Sequence, residues 1–502
     1  MTEEEKTTPG KTTGYDRIIK YTGMFGGVQT LTNLITLVKG KLVAYFIGPA
    51  GMGITYAFNR TLDLVSKTTD LGLSFSAVKT IAESDDEGVG YQLKIVRSWS
   101  LWLGIIGTLV CFLLAPLFSR LSFDGDYSYT LSFRLLALVV GCTSVASGER
   151  AILKGTHLLR QLAMNQIWVV LATLVIATPV YMWMGMQGIV PVLTLTAVST
   201  TALTCWYSFR AFPYKVSLFS KKIFRDGGYI VRLGFNYTIA GFFGSGALFL
   251  ISAYMLEQGT AEEVGFYSNA IILSSYLSML LFSAVETDFF PRLSAVNSDA
   301  ASSTRLVNEQ TEVLVLLIAP LAAAFILFLP IIIPLLLKRD FMDMLEITQW
   351  AALALFFTAL TRPMSFMSLS KGDSLTYLIQ ELLFDLFMAA AVIVGFHWGG
   401  LQWAGVALFA SNVFDWVLNL IITRVRYGFR VNGRVRLFAG VHGLLLAAFL
   451  AALRLLPGAL SWVVGGVLLM AITAVSWHFL YKETNFLQQI TARLRRRKEG
   501  GQ

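Results

Sequence analysis

Apolar runs of about 20 residues, each long enough to cross about 30 Å of hydrocarbon as a helix, recur from near Ile18 to Tyr481 with short polar breaks between them. A backbone in lipid must satisfy its own hydrogen bonds, so this repetition points to an all-α polytopic membrane protein. Composition supports the same reading, since 55% of the 502 residues are hydrophobic and 14% are charged, whereas a soluble chain carries roughly a quarter of its residues as charges. Almost nothing is left over for a soluble domain.

The pattern gives about fourteen spans: 19–47, 52–80, 95–119, 131–150, 162–184, 188–209, 229–255, 265–290, 312–337, 345–369, 376–396, 402–423, 436–455 and 459–481. An even count places both ends on one side. That set of loops holds roughly 29 Lys and Arg against about 4 on the other, which assigns it to the cytoplasm, N-in and C-in. Met1 to Asp16 lacks the basic-then-apolar order of a cleaved signal, so the first helix is read as a retained span. The densest basic segments, Arg210–Arg232, Arg424–Arg436 and Arg493–Lys498, each adjoin a span, where they hold topology and attract anionic lipid headgroups. No fold or aromatic platform for nucleic acid accompanies them, so no nucleic-acid partner is expected.

The run Gly48-Pro-Ala-Gly-Met-Gly-Ile-Thr-Tyr56 is echoed by Gly259-Thr-Ala-Glu-Glu-Val-Gly-Phe-Tyr267. That offset pairs spans 1–6 with spans 7–12 as parallel repeats. The expected organisation is a cytoplasmic tail (1–18), an N-lobe of spans 1–6 (19–209) and a cytoplasmic amphipathic linker (210–228). A C-lobe of spans 7–12 (229–423), an appended pair of spans (424–481) and a basic cytoplasmic tail (482–502) follow. In the linker, Phe212, Val216, Leu218, Phe219, Ile223 and Phe224 suit a segment lying on the membrane surface.

Charged groups at mid-bilayer are costly, so they normally face a protein interior or a wet cavity. Tyr56, Arg60, Asp63, Lys67, Asp70 and Ser74 fall on one helical stripe about 80° wide, which reads as a solvated cavity wall rather than a self-neutralising face. Thr22, Gln29, Asn33 and Thr36 share a face of span 1, with Lys39 at its edge. Span 8 presents Asn269, Tyr276, Ser283 and Thr287, followed by Glu286, Asp288 and Pro291-Arg292. Arg362-Pro363 interrupts span 10, Glu381 and Asp385 are one turn apart on span 11, and Asn412, Asp415 and Asn419 share a face of span 12.

A reacting constellation is missing, so the chain is read as a non-enzyme. Asp124-Gly-Asp126 suits a loop turn as well as a paired-acid metal site. His157, His397, His442 and His478 are scattered without metal spacing, and Cys111, Cys142 and Cys205 lie within apolar runs as packed residues.

The Ile47-Gly-Pro-Ala-Gly-Met-Gly53 turn and the Phe290-Pro-Arg-Leu-Ser294 step, with fourteen spans and a split after span 6, resemble the Wzx-type polysaccharide flippases of the multidrug/oligosaccharidyl-lipid/polysaccharide (MOP) exporter superfamily, which handle O-antigen or enterobacterial common antigen. The resemblance implies two six-helix lobes in a V-shape around a cationic cavity, plus two extra C-terminal helices, in the bacterial inner membrane. It implies a flippase moving undecaprenyl-pyrophosphate-linked oligosaccharide to the periplasmic leaflet by alternating access, beside a polysaccharide polymerase and a chain-length regulator. A guanidinium grips phosphate oxygens in bidentate fashion, so Arg60, Lys39, Lys67, Arg292 and Arg362 are headgroup candidates, with Asn33, Gln29, Tyr56, Asn269 and Tyr276 beside them. Asp63, Asp70, Glu286, Asp288, Glu381, Asp385 and Asp415 are candidates for ion coupling or charge balance. No cofactor is expected beyond a coupling H+ or Na+. The rival readings are a lipid II flippase or a MATE-like drug/cation antiporter. A membrane polymerase or ligase is disfavoured because every outside loop is short.

Overall fold

A computed structural model describes residues 14–217 and 220–483; within it, the side chains of a few short stretches, including 14–27, 29–30 and 283–288, lie outside the description. Every element among the described residues is helical: α1 (Gly14–Asp70), α2 (Leu73–Ala82), α3 (Asp86–Leu113), α4 (Ala115–Ser122), α5 (Thr130–Gly155), α6 (Leu159–Met184), α7 (Ile189–Ala211), α8 (Lys221–Gln258), α9 (Ala261–Ala295), α10 (Ala300–Leu336), α11 (Leu345–Ser370), α12 (Ser374–Tyr427), α13 (Gly433–Leu455) and α14 (Gly458–Glu483).

Ten helical runs among the described residues are long and apolar enough to cross a membrane. Three of them hold two arms each. Leu31–Asp70 breaks at Gly48, Leu159–Ala211 breaks at the 3-10 turn Gly185–Gly188, and Ser374–Tyr427 breaks at Gly399 and Gly400. With α9, which is 35 residues long, these give the fourteen arms that the apolar pattern foretells. Gly48 has φ 63, a left-handed conformation that disfavours a Cβ, and Pro49 then starts the next helix with its fixed φ and no amide to satisfy.

Local chemistry marks several other boundaries. Thr260 and Glu263 form a reciprocal capping box at the start of α9, while Asp299, Asp373 and Asn432 cap α10, α12 and α13 through their side chains. Span 2 departs from the expected 52–80. Leu71 (φ 48) and Gly72 (φ 69) end α1, and the chain restarts as the short α2. Two successive left-handed residues cannot continue a right-handed helix.

The chain divides into two compact units. One contains the stretch before Gly48 with 65–119 and 127–238, and the other contains 48–64, 120–126 and the stretch from Ile239 onward. In the first, Leu73, Ile81, Ile95, Val96, Ile152 and Ile230 form the core. In the second, α13 and α14 pack into the core: Phe438, Leu446, Phe449 and Ile472 pack with Leu314, Ile318, Ile326 and Phe356.

The segment after α7 is tied to α3. Ser98 Oγ accepts from Ser217 N at 3.0 Å, and Trp99 Nε1 donates to Ile223 O at 3.4 Å. Ile223 is buried and Phe224 packs on Trp99 and Trp102. Leu218 and Phe219 lie outside the described residues.

Candidate functional site

The second arm of α1 carries the striped charges, which fall into different units on either side of Leu64 and Val65. In the second unit, the Arg60 guanidinium lies 4.7 Å from the Tyr56 ring centroid and 3.4 Å from Asp63 Oδ2. Tyr56 packs edge-on to the fully buried Tyr267, with centroids 6.4 Å apart. Arg60 Nε and the Tyr267 hydroxyl are buried without a protein partner among the described residues. Such groups hold unused hydrogen-bonding capacity beside a fixed positive charge.

In the first unit the stripe changes character. Lys67 is exposed, and Asp70 turns to the next helix, accepting from Ser74 Oγ at 2.7 Å. Ser74 therefore belongs to α2 and bridges the break rather than extending the stripe. Asn33 and Lys39 are half-buried in this unit. Gln29, Glu286 and Asp288 lie outside the described side chains.

A polar hollow lies in the second unit, among α8, α9, α11 and α12. Its volume is about 380 Å3. Arg362, Glu381 and Asp415 line it, together with Ser274, Ser275, Ser278, Thr358, Thr361, Ser365, Tyr377, Asn412 and Asn419. Asp385 sits one turn from Glu381, and its carboxylate is close against Gly244 of α8. Three buried side chains prolong the polar wall: Asn419 donates to Asp415 Oδ1 at 2.8 Å, Gln380 donates to Asn419 at 2.9 Å, and Ser368 donates to Gln380 at 2.9 Å. Across the hollow, Thr358 donates to Asn412 at 3.0 Å. The network orders these groups, because each amide has both its donor and its acceptor engaged.

The structure thus unites Arg362, Glu381, Asp415, Asn412 and Asn419, which the sequence presents as three separate spans. This hollow is mixed in charge, with one arginine facing two acids. Asn269 and Tyr276 do not line it. Asn269 is buried, donating to Gly265 O at 2.7 Å and contacting Met52 Sδ at 3.5 Å. From α9 the hollow takes Tyr267, Ile271, Ser274, Ser275 and Ser278, and the weak polarity of serine in an apolar span gave no signal against Asn269 and Tyr276. Arg292 is exposed in the last turn of α9.

The Gly-Pro-x-Gly-x-Gly turn has a packing reason. A Cβ at Gly53 would collide with the Ala261 carbonyl, and one at Gly265 with the Pro49 carbonyl. The two echoed segments therefore cross backbone to backbone, which only glycine permits.

An ion pair in the first unit escapes a span-by-span reading. Arg97 Nε meets Glu149 Oε1 at 2.9 Å, and both side chains are 2% exposed. The other guanidinium nitrogens donate to Pro213 O at 2.8 Å and to Phe212 O and Ser208 Oγ at 3.3 Å. Each residue stands near the end of its own span, so position alone marks it as an interface residue.

Long bent helices with polar groups enclosed between them make an all-α membrane fold that solved structures share. The structure matches the lipid II flippase MurJ in an inward closed conformation over 91% of this chain and 99% of that one, with TM-score 0.71 and 11% identity. It matches an inward-facing multidrug resistance MATE family transporter of the MOP superfamily over 79% and 94%, with TM-score 0.65 and 16% identity. At such identities the likeness establishes the fold alone. Residues 18–297 match the polysaccharide biosynthesis protein family, and the chain belongs to that family. Stage V sporulation protein B of Bacillus subtilis (strain 168) is 24% identical over 203 residues, which is 39% of this chain and 39% of that protein.

Proposed function

We propose that this protein is a flippase for a polyprenyl-pyrophosphate-linked oligosaccharide of the O-antigen or related repeat-unit type, working by alternating access in a bacterial inner membrane. The observation that carries the reading is the hollow of about 380 Å3 within membrane-length helices, where Arg362 stands among hydroxyls and amides. A pyrophosphate needs fixed cations to leave water, and sugars need paired donors and acceptors; Arg362 supplies the first and the Ser, Thr and Asn walls supply the second. Arg60, stacked on Tyr56 with a buried unsatisfied Nε, is the second cation assigned to the headgroup. Lys39, Lys67 and Arg292 are further headgroup cations on this reading.

Glu381, Asp385 and Asp415 are assigned to coupling, by exchanging H+ or Na+ between states. The membership of a polysaccharide biosynthesis family supports a sugar-bearing substrate over a drug, while a lipid II substrate has the same polyprenyl pyrophosphate chemistry and fits the same groups. Polymerase and chain-length regulator partners belong to the same proposal, at the far leaflet.

The test is a reconstituted flipping assay with fluorescent lipid-linked oligosaccharide and, in parallel, lipid II. Wild type is expected to flip the oligosaccharide, and Arg60→Ala and Arg362→Ala to flip it at least roughly tenfold more slowly while inserting normally. Full activity in both variants would remove the headgroup role, and transport of lipid II alone would transfer the substrate to peptidoglycan synthesis.

A further inference from the structure

Between α10, α11, α12 and α13 the second unit holds a crevice of about 350 Å3 that none of the candidate substrate or ion residues lines. Phe356, Leu360, Met364, Trp416 and Val435 make its walls. The space is far larger than the roughly 30 Å3 a water takes in the liquid, yet a buried water needs two to four polar partners and these walls offer few. In helices of membrane length the apolar solvent at hand is a lipid chain. Two glycines of α13 keep the wall open: a Cβ at Gly440 would meet nothing within 4 Å, and one at Gly443 would touch Phe356 at 3.8 Å.

The crevice shares Asn308 and Val431 with a polar hollow of about 500 Å3 that holds Arg305, Arg430 and Arg434. Two of those arginines are paired within it, Arg305 with Glu309 at 2.8 Å and Arg434 with Glu312 at 4.0 Å. Arg430, and Arg436 at the crevice, form no ion pair among the described residues. Both flank the start of α13, where the helix dipole adds positive potential. An apolar slot that opens onto uncommitted cations matches one amphiphile, an apolar chain with an anionic head.

We propose that this paired space binds one anionic phospholipid of the basic-loop leaflet, with an acyl chain in the crevice and its phosphate at Arg430 and Arg436. The site is independent of the substrate hollow. Its occupant would brace α13 against α11 and make the protein dependent on anionic lipid.

The protein is purified in mild detergent and mixed separately with phosphatidylglycerol, phosphatidylcholine and undecaprenyl phosphate, and the lipid carried through is counted by native mass spectrometry. Wild type is expected to retain one phosphatidylglycerol, favoured over phosphatidylcholine by roughly tenfold or more, the scale of two cations beside an anionic head. Arg430→Gln with Arg436→Gln should abolish the preference, and Gly440→Leu should abolish retention of both phospholipids. All three positions are exposed, so folding is expected to survive, as checked by elution volume and helicity. Equal retention of the two phospholipids by wild type, or retention unchanged in the variants, overturns the proposal. Displacement of phosphatidylglycerol by one undecaprenyl phosphate also overturns it and gives the crevice to the substrate's own chain.

Discussion

Two arginines within membrane-length helices have opposite surroundings. Arg97 is closed: Glu149 and three further oxygens take its donors, and the Phe209 and Tyr214 rings lie 5.1 and 5.4 Å from its guanidinium. Arg362 lines a hollow of about 380 Å3 shared with Glu381 and Asp415, 5.9 Å from the Phe282 ring. The first arrangement leaves no coordination for a ligand and ties α3, α5 and the chain after α7 together. The second leaves volume beside the charge. Burial with full satisfaction marks a structural ion pair, whereas charge beside space leaves room for a ligand.

Breaking the closed pair should have the largest effect. Arg97→Ala leaves the Glu149 carboxylate buried and unpaired, at a cost of about 3–5 kcal/mol. The expected result is little folded protein, read by fluorescence-detected size exclusion. Replacing both partners, Arg97→Met with Glu149→Leu, removes the uncompensated charge and should recover much of that yield. A double variant as unstable as the single one would show that the backbone contacts to Phe212 and Pro213, rather than the pair, carry the stability.

Arg362→Ala should behave in the opposite way, with normal yield and flipping reduced roughly 10- to 100-fold, the range for losing a charged hydrogen bond. A stability loss as large as that of Arg97→Ala would erase the distinction between the two sites. Next in size is Asp415→Asn, which keeps the shape and the acceptor for Asn419 but removes the charge. Transport should fall several-fold and lose its dependence on an imposed ion gradient, and an unaltered gradient response would move coupling to Glu381 or Asp385.

The smallest effect is outside the spans, at Asp373. Burial opposes its charge, but hydrogen bonds from Thr376, Tyr427 and Arg426 outweigh that and bring its carboxyl down to about 2. A depressed carboxylate stabilises fully above its unfolded value near 4, and the contribution is lost as pH falls from about 4 to about 2. Asp373→Ala should therefore cost about 1 kcal/mol at neutral pH, typical of a lost N-cap, and the gap from wild type should close in that acid window. Thermal unfolding in detergent at pH 7 and at acid pH would measure both.

Much of the fold is legible in the sequence because its causes are local. A run of about 20 apolar residues must be helical in lipid whatever its neighbours do, and the breaks at Gly48 and at Gly399–Gly400 fall between expected spans. The helix end at Leu71 is different, since nothing in an apolar window distinguishes a broken span from a long one. In the site, Arg362, Glu381 and Asp415 stand out as charges in apolar runs. Ser274 and Ser278 do not, because serine in a membrane helix bonds its own backbone as readily as a ligand.

The sequence by itself determined that the chain is a many-span helical membrane protein and that its unusual groups are charges within spans, since both follow from the free energy of placing backbone and charge in hydrocarbon. Only the tertiary structure decided which charges are closed and which are open. Arg97 meets Glu149 across 52 residues, and Arg362 shares a hollow with acids on a different helix. Those neighbours depend on how each helix is rotated and packed, and periodicity along one helix does not contain that information.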